Sequence, residues 1–211
     1  MTTARENILQ KIKQALAKPV PVPFPASEGT DSVFQPSQKE LEVEFAEKFT
    51  GLLGRFSYCE NEKELVTQLN TLIAQRNWSK IYCREEAVSS RLSNAGFKTM
   101  YSDDVAVCDA AITGCEKLVA RTGSMIMSSA QESGRTVSVY APVHICIAYT
   151  DQLVYDIGTG LEQIRMDYGK DLPSMLTLAT GPSRTADIEK TLVVGVHGPK
   201  EVFCFLVDRN G

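Results

Sequence analysis

Lys80-Ile-Tyr-Cys83, Glu85 to Leu92, Asn94-Ala-Gly96 and Phe97 to Tyr101 follow in close succession, and this stretch decides the fold. The outer pieces are short, apolar and rich in strand-forming residues. The middle piece reads as a helix that stops at a glycine signal. Strand, helix, strand in that order is a βα unit, and such units build a mainly parallel sheet covered by helices. The predicted class is α/β.

Upstream, Ser37-Gln-Lys-Glu40 reads as a capping box opening a helix with Leu41, Phe45, Phe49 and Leu52 on one face. Asn61 is placed to cap a further helix carrying Leu65, Leu69, Leu72 and Ile73. Downstream, Asp109–Thr113, Ser124–Ser129, Thr136–Tyr140 and His144–Tyr149 read as strands, with a hairpin turn at Gln131–Gly134. Gly158-Thr-Gly160 marks a break before a short helix, Leu161–Tyr168, and Val202–Val207 is a buried strand or interface. At the other end, Thr3-Ala-Arg-Glu6 is a capping box before Ile8, Leu9, Ile12 and Leu16 at helical spacing. Alternating prolines from Pro19 to Pro25 then favour an extended tether, loop-like as far as Pro36. The expected organisation is an N-terminal helical arm with its tether over 1–36 and an α/β domain over 37–211. The arm's apolar stripe needs a cover: a partner protein, a second copy giving a homodimer, or its own domain.

With 211 residues, 43% of them hydrophobic, the chain can bury a full core. Its 22 basic and 26 acidic residues leave a formal charge of −4, and no basic stripe is visible, which argues against nucleic acid as a partner. There is no apolar run of the ~20 residues a membrane span needs and no signal-peptide pattern, so the expected location is cytoplasmic. The six cysteines, at 59, 83, 108, 115, 146 and 204, never form a CxxC pair. Clustered metal ligands normally share a tight loop, so no metal or iron–sulfur cofactor is expected in this chain. Cys83, Cys146 and Cys204 sit in apolar runs and read as core.

Chemistry concentrates near the C-terminus. Thr177–Thr180 and Thr191–Val196 read as buried strands around the polar turn Gly181-Pro-Ser-Arg-Thr-Ala-Asp-Ile-Glu189. Ser183 and Thr185 offer donors, and Arg184 offers a planar fork suited to a carboxylate or phosphate; the plainer alternative pairs Arg184 with Asp187 or Glu189. His197, ahead of Gly198-Pro199, follows the second run and suits an acid, base or anion-donor role. Arg184 and His197 then share a crevice if the two runs are parallel and close, whereas an antiparallel pair, or runs in different parts of the sheet, would send His197 to the far end. Upstream, Thr122-Gly123-Ser124 sets a glycine between two hydroxyls just before a strand, where backbone can approach a ligand. The candidate anion-binding set is Thr122, Gly123, Ser124, Ser183, Arg184, Thr185, Asp187, His197 and Gly198. No Walker loop, GxGxxG, GxSxG or HExxH motif is present.

GPSRTADIE at 181–189 and GVHGP at 195–199, with Thr122-Gly123-Ser124, Pro142 and His144 upstream, resemble the LUD domain family, in its lactate-utilisation protein C (LutC or YkgG) branch. The resemblance covers roughly residues 80 to 211 and, more weakly, the N-terminal third. Arg121 and Ser124 depart from the family's usual polar-TGT pattern. The resemblance implies a three-layer, NagB/RpiA/CoA-transferase-like fold. It also implies a part in oxidising L-lactate to pyruvate, alongside partner subunits that carry the iron–sulfur clusters. An accessory or ligand-binding subunit is one reading. The other is a stand-alone enzyme or binding module acting on a small carboxylate, sugar phosphate or CoA thioester.

Overall fold

The computed structural model describes residues 3–17, 37, 39–99, 101–188 and 191–209. The chain divides into two compact units, Met1–Pro36 and Ser37–Gly211. In the first, helix α1 (Ala4–Leu16) opens on the expected capping box, with Thr3 and Glu6 each accepting from the other's backbone N–H. The proline run Pro19–Pro25 lies outside the described residues.

The second unit is built on a five-stranded parallel sheet. Its members are β1 (Arg55–Cys59), β2 (Ile81–Tyr82), β3 (Ala110–Thr113), β6 (Val143–Tyr149) and β11 (Glu201–Val207), in the order β1-β11-β6-β3-β2. Every neighbouring pair runs parallel. A second, mixed sheet has the order β7-β4-β5-β8, from β4 (Lys117–Val119), β5 (Ser124–Ser128), β7 (Leu153–Val154) and β8 (Leu176–Ala179). Strands β9 (Arg184–Ile188) and β10 (Thr191–Val194) form a separate antiparallel ribbon.

Alternation along the central strands sorts side chains to two faces. Ile145, Ile147, Phe203 and Phe205 pack with Leu65 and Leu69 of α3 (Glu62–Arg76) and Leu92 of α4 (Glu86–Asn94). The intervening Cys146, Ala148, Cys204 and Leu206 pack with Phe45 and Phe49 of α2 (Leu41–Gly51) and with Leu118 and Met125 of the second sheet. Ile164 of α6 (Ile157–Tyr168) covers that sheet with Val119, Ile126 and Val154. The α/β class with a mainly parallel central sheet holds. Cys146 and Cys204 are core residues as read, while Cys83 is half-buried.

Several local expectations change. Helix α2 starts at Leu41 with Glu40 as its N-cap and no side-chain cap, so the Ser37 box is not formed. Ser37 Oγ instead lies within hydrogen-bond reach of the Lys39 carbonyl and of the Glu44 carboxylate, one of which takes its single hydrogen. Asn61 does cap α3, accepting from Lys63 and Glu64 N–H at 3.1 Å. The described residues of Phe97–Tyr101 form no strand: the Phe97 N–H is spent on Leu92 O, closing α4, and Tyr101 makes a single bridge to Ile81. Thr136–Tyr140 contains one turn of helix, α5 (Val137–Tyr140). Strand β5 is already paired on both sides, so the Gln131–Gly134 turn leads to no hairpin and these β-branched residues find no sheet edge. Gly158 and Gly160 lie inside α6, which starts early because Asp156 accepts from Thr159 N–H at 2.8 Å. The run Thr191–Val196 is not a buried strand, since Val194 and Val196 are 39% and 47% exposed.

Candidate functional site

The motif residues gather at the amino edge of the parallel sheet, ahead of β6 and β11. Gly181-Pro-Ser183 leads out of β8 into β9, and the 195–199 turn leads from β10 into β11. Gly195 N–H donates to Ser183 O at 2.9 Å and Ser183 N–H to Pro199 O at 3.0 Å, so the two turns lock together. Arg184 pairs with Val194 in the ribbon. Antiparallel pairing therefore brings Arg184 and the His197 turn to one end of the ribbon. The two runs flanking the turn lie in different parts of the fold, β8 in the mixed sheet and β10 in the ribbon, yet His197 does not move to a far end, because Arg184 opens β9 while His197 follows the close of β10.

A hydroxyl ladder ties the upstream motif to the same region. Thr122 and Ser124 share a hydrogen bond of 2.8 Å, and Ser124 and Thr180 share another of 2.8 Å. The glycines here serve backbone contacts. Gly123 has φ +62° and a Cβ there would lie 2.6 Å from Phe49 N; Gly181 has φ +77° and a Cβ would lie 2.6 Å from Leu52 O. Both turns rest on the end of α2 closely enough to exclude any side chain.

Side-chain chemistry at this edge is open to solvent. His197 and Arg184 are exposed. A shallow cleft of about 560 Å³ is lined by His197, Gly198 and Lys200 with Tyr140 and Pro142. Arg184, Ser183 and the Thr122–Ser124 turn are not in its lining. Thr185 and Asp187 lie within β9, Thr185 paired with Val193. The structure thus brings Ser183, Arg184, His197 and Gly198 to one end of the ribbon, adds Lys200, and sets the upstream turn against α2.

At the opposite, carboxyl edge lies a more enclosed cavity of about 330 Å³. The segments following all five parallel strands contribute to it or border it: Glu62 after β1, Glu85 after β2, Gly114 after β3, Tyr149 at the end of β6 and Arg209 after β11. Ligands of open α/β sheets bind at this edge. Glu85 is 8% exposed and accepts from Gly114 N–H at 3.0 Å, with a longer contact from Gln131 Nε2 at 3.4 Å. The guanidiniums of Arg91 and Arg209 stand 4.8 and 5.0 Å from the centre of the Tyr149 ring. Tyr149 donates its hydroxyl to Glu62 at 3.1 Å, and Arg209 pairs with Asp151 at 3.6 Å. Burial raises the Tyr149 pKa, and interaction with the Tyr149 hydroxyl raises that of Arg91, so the phenol stays protonated and the guanidinium charged. Leu65, Val88, Leu92 and Ile147 supply an apolar wall.

Sequence reasoning passed over these residues because no two form a motif. The usable signal is position: Glu62, Glu85, Tyr149 and Arg209 come at or just after a strand end, while Arg91 is carried by α4. His144 belongs to neither place. It is 1% exposed, and its Nε2 lies 2.8 Å from Thr113 Oγ1. Thr113 already donates to Gly114 O, so the imidazole Nε2–H is the donor to the threonine. Burial drops the His144 pKa to about 4, leaving the ring neutral and structural.

Comparison with known proteins agrees with this fold. The structure of a DUF162 family protein from Deinococcus radiodurans superposes with a TM-score of 0.61 at 19% identity, over 82% of this chain and 99% of that one. An uncharacterised protein of Neisseria meningitidis serogroup B is 26% identical over 95% of this chain and 91% of its own length. Lactate utilization protein C of Deinococcus radiodurans is 35% identical over 47% of this chain, and that of Bacillus subtilis 37% identical over 46%. The match spans less than half of these two relatives, 46% and 42% of their lengths. The LUD domain family model matches residues 43–207, and the chain belongs to the LUD domain family, in the branch of the lactate utilization protein C sequences.

Proposed function

We propose that this chain is a cytoplasmic subunit of an L-lactate utilisation system. Partner subunits hold the iron–sulfur clusters and take up the two electrons released when L-lactate is oxidised to pyruvate, handing them on to a separate electron acceptor, while this chain holds no cofactor and binds a small carboxylate. The observation that carries the reading is the run of relatives named lactate utilization protein C, aligned at 34–37% identity. The amino-edge cluster supports an anion-binding part in it: Arg184, His197 and Lys200 bring cationic or donor groups to one end of the ribbon, beside a locked backbone turn. A second reading, a stand-alone binding module or enzyme, is favoured by one observation, the enclosed cavity at the other edge.

The test is affinity purification of the chain from lactate-grown cells, with partner identification and an iron assay on each component. Iron-bearing partners around an iron-free, colourless chain are expected. Stoichiometric iron in this chain, or recovery without any iron protein, overturns the proposal. Deleting residues 1–25 tests the arm: a docking role predicts lost partners with little change in thermal unfolding.

A further inference from the structure

We infer that the carboxyl-edge cavity is a binding site, separate from the amino-edge cluster, for a small carboxylate that also bears an O–H or N–H donor. The argument starts from Glu85. It is a nearly buried carboxylate, and among the described residues no ion pair involves it. One oxygen takes the Gly114 N–H, while the other has only the long contact to Gln131. A carboxylate withdrawn from water and left with acceptor capacity needs a donor brought to it. Here the open side faces a cavity, not protein.

The complementary charge is on the same helix. Glu85 is the N-cap of α4 and Arg91 lies in its last turn, so their backbones stand about 9 Å apart, at ~1.5 Å per residue. Both side chains line the one cavity. Arg91 is held over the Tyr149 ring but makes no ion pair among the described residues, whereas Arg209 beside it is committed to Asp151. A guanidinium oriented on an aromatic face, with donors to spare, suits a carboxylate fork.

These two groups define the ligand. A bare anion is drawn to Arg91 but repelled by Glu85, and a bare cation meets the reverse. A molecule with a carboxylate at one end and a hydroxyl or ammonium donor a few bonds away satisfies both. The apolar wall takes a short carbon skeleton, and about 330 Å³ is at the small end of ligand cavities, too small for a dinucleotide. Hydroxy acids and amino acids share this chemistry. The site does not depend on membership of a lactate system.

The experiment is titration of the purified full chain with L-lactate, L-alanine, pyruvate and propionate, followed by calorimetry and by the Gly114 amide resonance. That N–H is bonded to Glu85, so it reports the site without any mutation. Either L-lactate or L-alanine should bind at least about tenfold tighter than pyruvate and propionate and should shift Gly114. Arg91→Ala should weaken binding about tenfold or more, and Arg91→Lys should recover part of it. Glu85→Gln should remove an L-alanine preference, and should only reduce an L-lactate preference because the amide oxygen still accepts; this separates the two sources. Arg184→Ala and Lys200→Ala, whatever heat they remove at the amino edge, should leave the midpoint of the Gly114 titration unchanged. In the Gly114 titration, equal affinity for all four acids, no binding up to ~10 mM, an unmoved resonance, or loss of the titration on Arg184→Ala overturns the inference. Partner purification can fail while this binding holds, and the reverse, so the two proposals fall separately.

Discussion

The two edges of the parallel sheet divide the work of the molecule differently. The amino edge holds the contiguous motifs, and its strictest positions, Gly123 and Gly181, are demanded by the backbone of α2. The carboxyl edge holds no contiguous motif, yet Glu62, Glu85, Arg91, Tyr149 and Arg209 meet there around an enclosed cavity. A dense motif therefore marks where chain must pack on chain as readily as where a ligand sits. Polar groups scattered along the sequence become a site only when parallel strands end side by side.

The sharpest way to break this comparison is Gly123→Ala. The φ of +62° and a Cβ 2.6 Å from Phe49 N predict a loss on the order of 3 kcal/mol or more in denaturant unfolding. A loss under ~1 kcal/mol would mean the glycine is not kept for packing, and a ligand role would regain weight. Next is pH. The folded His144 pKa, about 4, lies below the unfolded value near ~6.5, so the unfolded chain takes up the proton first. The His144 contribution is full above ~6.5 and lost as pH falls toward about 4, roughly 3–4 kcal/mol in all. Replacing His144 by Asn should flatten that part of the stability curve; an unchanged slope would show the ring is not buried neutral.

Smaller effects sharpen the contrast. Asp109 accepts from the N–H groups of Ser79 and Lys80 at 2.8 Å each, tying the entries of β2 and β3 together. These bonds, Lys80 first, lower its pKa, so its contribution persists at neutral pH and is lost only as pH falls through that depressed value. Asp109→Ala should cost ~1–2 kcal/mol. Exposed Arg184 should matter least to folding: Arg184→Ala should change stability by no more than ~0.5 kcal/mol. Its effect, if the amino edge binds an anion, is a ~1.5–3 kcal/mol loss of carboxylate or phosphate affinity.

Local pattern was legible where one residue's environment follows from its neighbours in sequence. Asn61 caps α3 because an acceptor there meets free N–H groups wherever the helix lies. Val143–Tyr149 and Glu201–Val207 are strands because long apolar β-branched runs have few alternatives. The pattern misled at Thr136–Tyr140 and Thr191–Val196. Both are β-prone, but propensity says nothing about whether a sheet edge is free or which side faces water. Lys117–Val119 and Leu153–Val154 were too short to show any period; the first is a strand because it pairs with β5 and with the second, and the second because it pairs with the first.

By itself, then, the sequence determined the α/β class, the caps of α1 and α3, four of the five parallel strands (all but β1) and the family. Each of these rests on spacing within a few turns or on an unbroken motif. Only the tertiary structure decided that β9 and β10 pair antiparallel, and so that Arg184 and the His197 turn share an end. It alone decided that Glu85 faces a cavity with Arg91 and Arg209 over one tyrosine ring. The physical reason is strand order. The arrangement β1-β11-β6-β3-β2 sets the ends of segments far apart in sequence next to one another. Strand order is chosen by the packing of whole faces, which no local stretch of residues encodes.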